Sequence, residues 1–219
     1  VSGPGPILIT PRLRLRPLAD GDVAAVARIL SEPAVAAGLG HAPSRITPAL
    51  ARDWIRRRRR RAQAGLTLTL AMTRPPADDL IGTVSLRLAR AHRRGELGYW
   101  LGDGHGGAGL GREAVAALVD WLFTHLPIER VFARHLHGNP RSRRLLDALG
   151  FQLEGRLRQH HRQGGRLHDV EVRGLLRAEW QATRGRPIAP GRAPPRTAGT
   201  PPPPSPRPPV PSSRRRRRP

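Results

Sequence analysis

A mixed, mostly antiparallel α/β (α+β) sheet with helices on both faces is expected, and three features point to it. Period-two and helical-period segments alternate along residues 7–180. A glycine-dense loop joins a strand to the helix that follows it near the middle of that stretch. From residue 184 onward the text changes to proline and arginine with no acidic or aromatic residue, which separates a 1–183 domain from a 184–219 tail.

Each element has its own signal. Residues 12–18, RLRLRPL, alternate strictly, with Leu13 and Leu15 turned inward. Asp20 or Asp22 opens a short helix to about Leu30, with Val23, Val26, Ala27 and Leu30 at helical spacing. Thr47 followed by Pro48 is an N-cap with proline at the first helical position, so a second helix runs through Trp54 to about Ala64. Six arginines, Arg56 to Arg61, close that helix, where cations suit the macrodipole and read as a solvated face. LTLTLAM at 66–72 and LIGTVSLRL at 80–88 flank the turn RPPADD as antiparallel strands. ELGYWLG at 96–102 is the next strand, and Arg112 to about His125 is a helix with Val115, Leu118, Val119 and Leu122 inward. A strand at 130–137, a short helix at 139–150 ended by Gly150, and two closing strands, FQLEGRL and DVEVRGLL, complete the body.

Composition narrows the chemistry. The 219 residues include no cysteine, which excludes a disulfide scaffold, a thiolate metal site and a cysteine nucleophile. No run approaches the ~20 apolar residues that cross a bilayer, and no basic segment followed by an apolar run opens the chain, so a cytoplasmic protein without a membrane partner is expected. The formal charge of +23 comes from 39 arginines and no lysine, a pattern that GC-rich coding also produces. Ten of these arginines lie in the tail, leaving 29 against all 16 acidic residues, or +13 on the body. The tail is expected to be disordered, and its terminal Arg214 to Arg218 cluster is either an unselected extension or a contact for RNA or the ribosome.

The strand, loop and helix at 96–123 carry the most chemistry. Gly104, Gly106, Gly107, Gly109 and Gly111 lack Cβ atoms, so backbone amides can close on a phosphate at a helix N-terminus. The run has no Gly-Lys-Ser/Thr ending, which argues against a Walker loop, and its strand belongs to a meander rather than a dinucleotide-binding βαβ unit.

ELGYW, the GGAGLGREA loop, RVFARHLHGNPRS, the LGF after it, LEGRLR and LLRAEW follow one another in order. Together they resemble a GNAT-family N-acetyltransferase, most closely the RimJ and RimL ribosomal-protein branch, whose members also open with a segment like TPRLRLRPL. The resemblance covers residues 7–180 and implies the GNAT fold, acetyl-CoA as cofactor and a primary amine as acceptor. The family's loop reads Gln/Arg-x-x-Gly-x-Gly/Ala. Here Gly106, Gly107, Ala108, Gly109, Leu110 and Gly111 keep both later positions, while Gly106 replaces the polar first one. His105 and Arg112 stand close enough to compensate. By the same resemblance the pantetheine arm lies along the strand carrying Tyr99, Trp100 and Leu101, and Asn139 bonds it.

Acetyl transfer needs a neutral amine, a polarised carbonyl and a protonated thiolate. Glu96 shares a strand face with Gly98 and Trp100 and is the implied base, with a pKa raised by an apolar wall; otherwise it is the partner of an arginine such as Arg94 or Arg134. Backbone amides near Leu101 are expected to polarise the carbonyl. The family's usual tyrosine, seven residues after the asparagine, is Leu146. In the ribosomal-protein branch a serine three residues after the asparagine replaces it, and Ser142 stands there, either as thiolate acid or as a first-turn helix residue. Tyr99, facing away from Glu96, reads as packing. His161, in a segment that lines the acceptor pocket in the family, is the second candidate base, with His160 beside it.

His135 and His137 share a strand face, and His160, His161 and His168 are close in sequence, but without cysteine or an acidic cluster no metal is expected. The expected activity is acetyl transfer to a protein or peptide N-terminal α-amine, of ribosomal-protein type, by a monomer or homodimer. A small-molecule amine is the alternative acceptor. A catalytically weak module that binds CoA, and RNA through the tail, is the alternative class.

Overall fold

A computed structural model describes residues 5–39 and 45–183. The tail and its arginine cluster lie outside the described residues. Strands β1 (Leu8–Ile9) and β2 (Arg14–Pro17) lead through a 3-10 turn, Asp20–Asp22, into α1 (Val23–Leu30), α2 (Pro33–Leu39) and α3 (Pro48–Gln63). Then come β3 (Thr67–Thr73), β4 (Leu80–Ala89), β5 (Arg94–Leu101), α4 (Leu110–His125), β6 (Arg130–Leu136), α5 (Pro140–Asp147), β7 (Gln152–Gln163), β8 (Arg166–Leu176) and α6 (Arg177–Thr183). The eight strands form one sheet in the order β1-β2-β3-β4-β5-β6-β8-β7, and β5 with β6 is its one parallel pair among the described residues.

The alternation and capping signals explain most of these elements. Thr47 Oγ1 accepts the Leu50 amide 3.3 Å away, with Pro48 in the first turn, as that dipeptide requires. Helix α1 begins at Val23, directly after Asp22, as expected, but Asp22 makes no side-chain bond to the first-turn amides because its carboxylate is occupied elsewhere. Its carboxylate accepts the Ala19 amide at 2.7 Å and both terminal nitrogens of Arg16 at 2.8 and 2.9 Å. Both side chains are nearly buried, and Arg16 is held above its ordinary pKa by its bond to Asp22, against the cost of burial. Asp22→Ala removes two of the bonds to Arg16 and leaves it those to Asp78, and unfolding in denaturant is expected to show a loss of about 2 kcal/mol.

Two cores sandwich the sheet. On one face Leu13, Leu15, Leu68, Leu70, Met72 and Leu86 pack against Val115, Leu118 and Leu122 of α4, Leu146 of α5 and Trp180 of α6. On the other, Ala71, Leu80 and Trp100 meet Val26, Ile29 and Leu30 of α1, Val35 of α2 and Ile55 of α3. Alternation along β5 therefore sends Leu97 and Tyr99 toward α4 and Trp100 toward α1–α3. Among the described residues no helix is long and apolar enough to cross a membrane.

Three elements escape the periodicity reading. The β1 strand has two residues, while α2, PAVAAGL, and α6, RAEWQAT, are seven-residue helices, too short to establish an apolar period.

Candidate active site

The site grows from the place where β5 and β6 part. Their pairing runs from Arg94↔Arg130 to Leu97↔Ala133 and stops, although β5 continues to Leu101 and β6 to Leu136. Residues 98–101 keep their partners on β4, Ser85↔Gly98 through Gly82↔Leu101, but among the described residues have no strand partner toward β6. Backbone groups in such a gap call for a partner, and an extended amide-bearing chain supplies one as a strand would.

Beyond Leu101 the chain enters a 3-10 turn, Asp103–His105, and the glycine loop. Gly107 at φ +84° and Gly109 at φ +78° adopt the left-handed conformation that glycine alone takes without strain. Gly109 caps the 16-residue helix α4 with no side-chain bond to its first-turn amides. Those amides and the helix dipole fit a diphosphate.

The loop is clamped from outside. Arg12 donates to the Ala108 carbonyl at 2.8 Å and to Glu113 in the first turn of α4 at 2.6 Å, while Thr10 Oγ1 donates to Glu113 at 2.7 Å. Burial alone would raise Glu113, but the bonds from Thr10 and Arg12 outweigh it and hold the carboxyl below its ordinary pKa. Arg141, in the first turn of α5, reaches Asp103 at 3.2 Å and lies within 3.9 Å of where a Gly106 Cβ would stand. A cation therefore sits beside the position at which the usual polar residue is missing. His105 and Arg112 flank the loop at its two ends. Neither Arg12 nor Arg141 has a sequence signal beyond position; only the fold brings them to the loop. With the clamp removed, Arg12→Ala is expected to raise the acetyl-CoA Kd about tenfold, read by calorimetry.

On the far side of the gap, helix α5 is capped by Asn139, whose Oδ1 accepts the Ser142 amide at 3.0 Å. Ser142 is thus the first-turn residue, and its hydroxyl lies 2.6 Å from the Tyr99 hydroxyl. Burial pushes Tyr99 up to about 12, against the opposing bond from Ser142, so the phenol stays protonated across the physiological range. Tyr99 packs on the α4 side as expected, and it also joins Ser142, a partnership 43 residues apart that strand alternation alone cannot reveal. Leu146 is fully buried in the core, so no donor stands at the family's tyrosine position.

Glu96 corrects the sequence reading. Apolar side chains stand near it, but two cations bind its carboxylate: Arg134 donates to Oε1 at 2.9 Å, and Arg87, its cross-strand partner on β4, binds Oε2. Burial would raise its pKa, but both arginines hold it below the ordinary carboxylate value. It is an ionised arginine partner. A cavity of about 680 Å³ opens here, lined by Glu96, Tyr99 and Trp100 and by Leu30, Ile46 and Trp54 from the helical side. His161 sits instead on β7 opposite His168, and it is not among the lining residues. The hairpin carrying it reaches α2, where Gln163 donates to the carbonyls of Ala36 and Ala37. His160 is exposed on the same strand. His135 and His137 share Glu171, and among the described residues no three His, Asp or Glu side chains group as metal ligands.

A gap that admits a strand-like arm, an anion cradle at one end, a hydroxyl pair on one side of the sheet and a cavity on the other fit acetyl-CoA and an acceptor. Comparison with known proteins agrees. The model of the acetyltransferase (GNAT) domain matches residues 12–152. The chain is 34% identical over 178 residues to the uncharacterized N-acetyltransferase p20 of Bacillus licheniformis, covering 79% of this chain and 97% of that one. It is 34% identical over 96 residues to the ribosomal-protein-serine acetyltransferase of Escherichia coli K12, covering 43% and 54%. The solved structure of RimL, a ribosomal L7/L12 alpha-N-protein acetyltransferase in complex with coenzyme A, superposes with a TM-score of 0.72 over 78% of this chain and 98% of that one, at 19% identity. The chain belongs to the GNAT acetyltransferase family and is an N-acetyltransferase that uses acetyl-CoA.

Proposed function

We propose that this enzyme acetylates the N-terminal α-amine of a protein or peptide in the cytoplasm, with ribosomal proteins as the acceptor class. The observation that carries the reading is the point where β5 and β6 part, with the Tyr99–Ser142 hydroxyl pair on the α4 side of the sheet and the cavity holding Glu96 on the other. The partial similarity to a ribosomal-protein-serine acetyltransferase supports the acceptor class.

Acetyl-CoA supplies the acetyl group as a thioester. The free edge of residues 98–101 and the Asn139 amide hold its pantetheine arm, and amides near Leu101 orient the carbonyl. The Gly106–Gly111 backbone, flanked by His105, Arg112 and Arg141, holds the diphosphate. Ser142 holds a proton at Oγ for the leaving sulfur, and Tyr99 Oη restores it. Glu96 accepts a hydrogen bond from the acceptor amine and orients it. Its lowered pKa makes it a poor proton store, so the amine must lose its proton to solvent before attack, and the proton the nitrogen sheds as the C–N bond forms and the C–S bond breaks leaves to solvent too. An α-amine, with a pKa of about 7.7 to 8, meets that condition near neutrality far better than a lysine at about 10.4. A polycationic amine is a poor match for the arginines around the cavity.

Mass spectrometry of lysine-containing peptides incubated with enzyme and acetyl-CoA tests this. Acetyl on the α-amine is expected; acetyl confined to lysine side chains, or to small amines in parallel reactions, would overturn it.

A further inference from the structure

The six-arginine run of α3 is split in two by the fold. Arg56 pairs with Asp53, and Arg59 bonds Asp20 and the Leu18 carbonyl. Arg57, Arg58 and Arg61, at the spacing of one helical face, line the cavity instead, and Arg87 and Arg134 approach from the sheet. Against these five guanidinium groups the lining contains one carboxylate, Glu96, already bridged by two of them. Arg57, Arg58 and Arg61 have no carboxylate within ion-pair distance among the described residues. Arg58 lies over the Trp54 ring, 5.2 Å from its centroid. Burial first, then repulsion from Arg61, Arg57 and Arg87, lowers its pKa. Such a concentration of like charge costs stability unless an anion answers it.

The phosphate end of acetyl-CoA does not supply that anion. It falls to the loop before α4, where Arg12 and Arg141 already stand. The cavity lies on the α1–α3 side, with Trp100 and Trp54 in its wall.

We infer that the acceptor is an acidic peptide, whose α-amine meets Glu96 while carboxylates close behind it bind the arginines of α3. This rests on the acetyl-transfer reading above. An extended peptide matches the arginines in spacing. Arg57 and Arg61 stand one turn apart, about 6 Å, and alternate side chains of an extended chain are about 6.6 Å apart. Bidentate pairing with carboxylates gives the arginines both the charge and the geometry to select such a chain.

Thiol release by the full chain with acetyl-CoA tests it on serine-led hexapeptides carrying aspartate, alanine or arginine at positions two and four. The aspartate peptide is expected to exceed the alanine peptide at least about tenfold in kcat/KM at low salt, with the ratio shrinking at high salt. In the double variant Arg57→Gln, Arg61→Gln, both at exposed helix positions, the ratio is expected to fall below about threefold through a higher KM for the aspartate peptide. Equal rates, or a faster arginine peptide, would overturn the acidic preference and leave acetyl transfer standing. An equal loss on all three peptides in the double variant would overturn the role of the arginines. Free glutamate outpacing the aspartate peptide would overturn the peptide assignment in favour of a small anionic amine. No acetylation of any amine would remove the underlying reading as well.

Discussion

Ser142→Ala is expected to lower kcat about 100-fold while leaving the acetyl-CoA Kd within about threefold of the parent. Among the described residues, the hydroxyl is the group at the gap both fixed by a helix turn and bonded to a second proton source, Tyr99. Helix α5 does not need it, because the cap is Asn139 and the Ser142 contribution to that cap is its backbone amide. A loss in turnover therefore reports chemistry rather than folding. Tyr99→Phe is expected to cost about tenfold, and the double variant little more than Ser142→Ala alone, since the two hydroxyls act in series. Steady-state kinetics with a single peptide checks all three. Full kcat in Ser142→Ala would return the serine to a purely helical role.

Glu96→Gln is expected to cost about 30- to 100-fold in kcat without moving the pH limb. The sign follows from the direction of its shift. Two arginines hold Glu96 below the ordinary carboxylate pKa, so it is ionised throughout the range in which amines titrate and contributes no limb there. The rate should rise with pH as the acceptor amine loses its proton, at a pKa drawn downward by the surrounding guanidinium groups. The amide variant removes the group that orients the amine, yet the same acceptor titration remains. A limb that shifts on Glu96→Gln would instead identify Glu96 as the titrating base. His161, absent from the cavity lining, is expected to show only a small effect on replacement by alanine in the same assay.

Local pattern carried the frame of this molecule further than its site. The alternation in RLRLRPL, the Thr47-Pro48 cap and the glycine loop before α4 each express a constraint that a few neighbouring residues satisfy alone. The residues that define the site depend on register between distant segments. Whether Glu96 faces an apolar wall or a cation is decided by its pairing with Arg87 across β4 and by Arg134 on β6, and neither register is written in the strand ELGYWLG. Tyr99 reads as packing because its partner Ser142 arrives with α5. Arg12 reads as the outer face of a strand, and only folding lays its side chain on Ala108 and Glu113. The arginine run of α3 likewise looks uniform, while its contacts divide it between ion pairs and the cavity.

The central claim is that the parted edge of β5 and the loop before α4 hold acetyl-CoA for transfer to an amine. Calorimetric titration of acetyl-CoA into the full chain, with thiol release followed in the same preparation, tests it most directly. Micromolar binding is expected, on the order of −8 kcal/mol, with thiol released only when an acceptor amine is added. Absence of binding, or release of thiol indifferent to the amine, would contradict it.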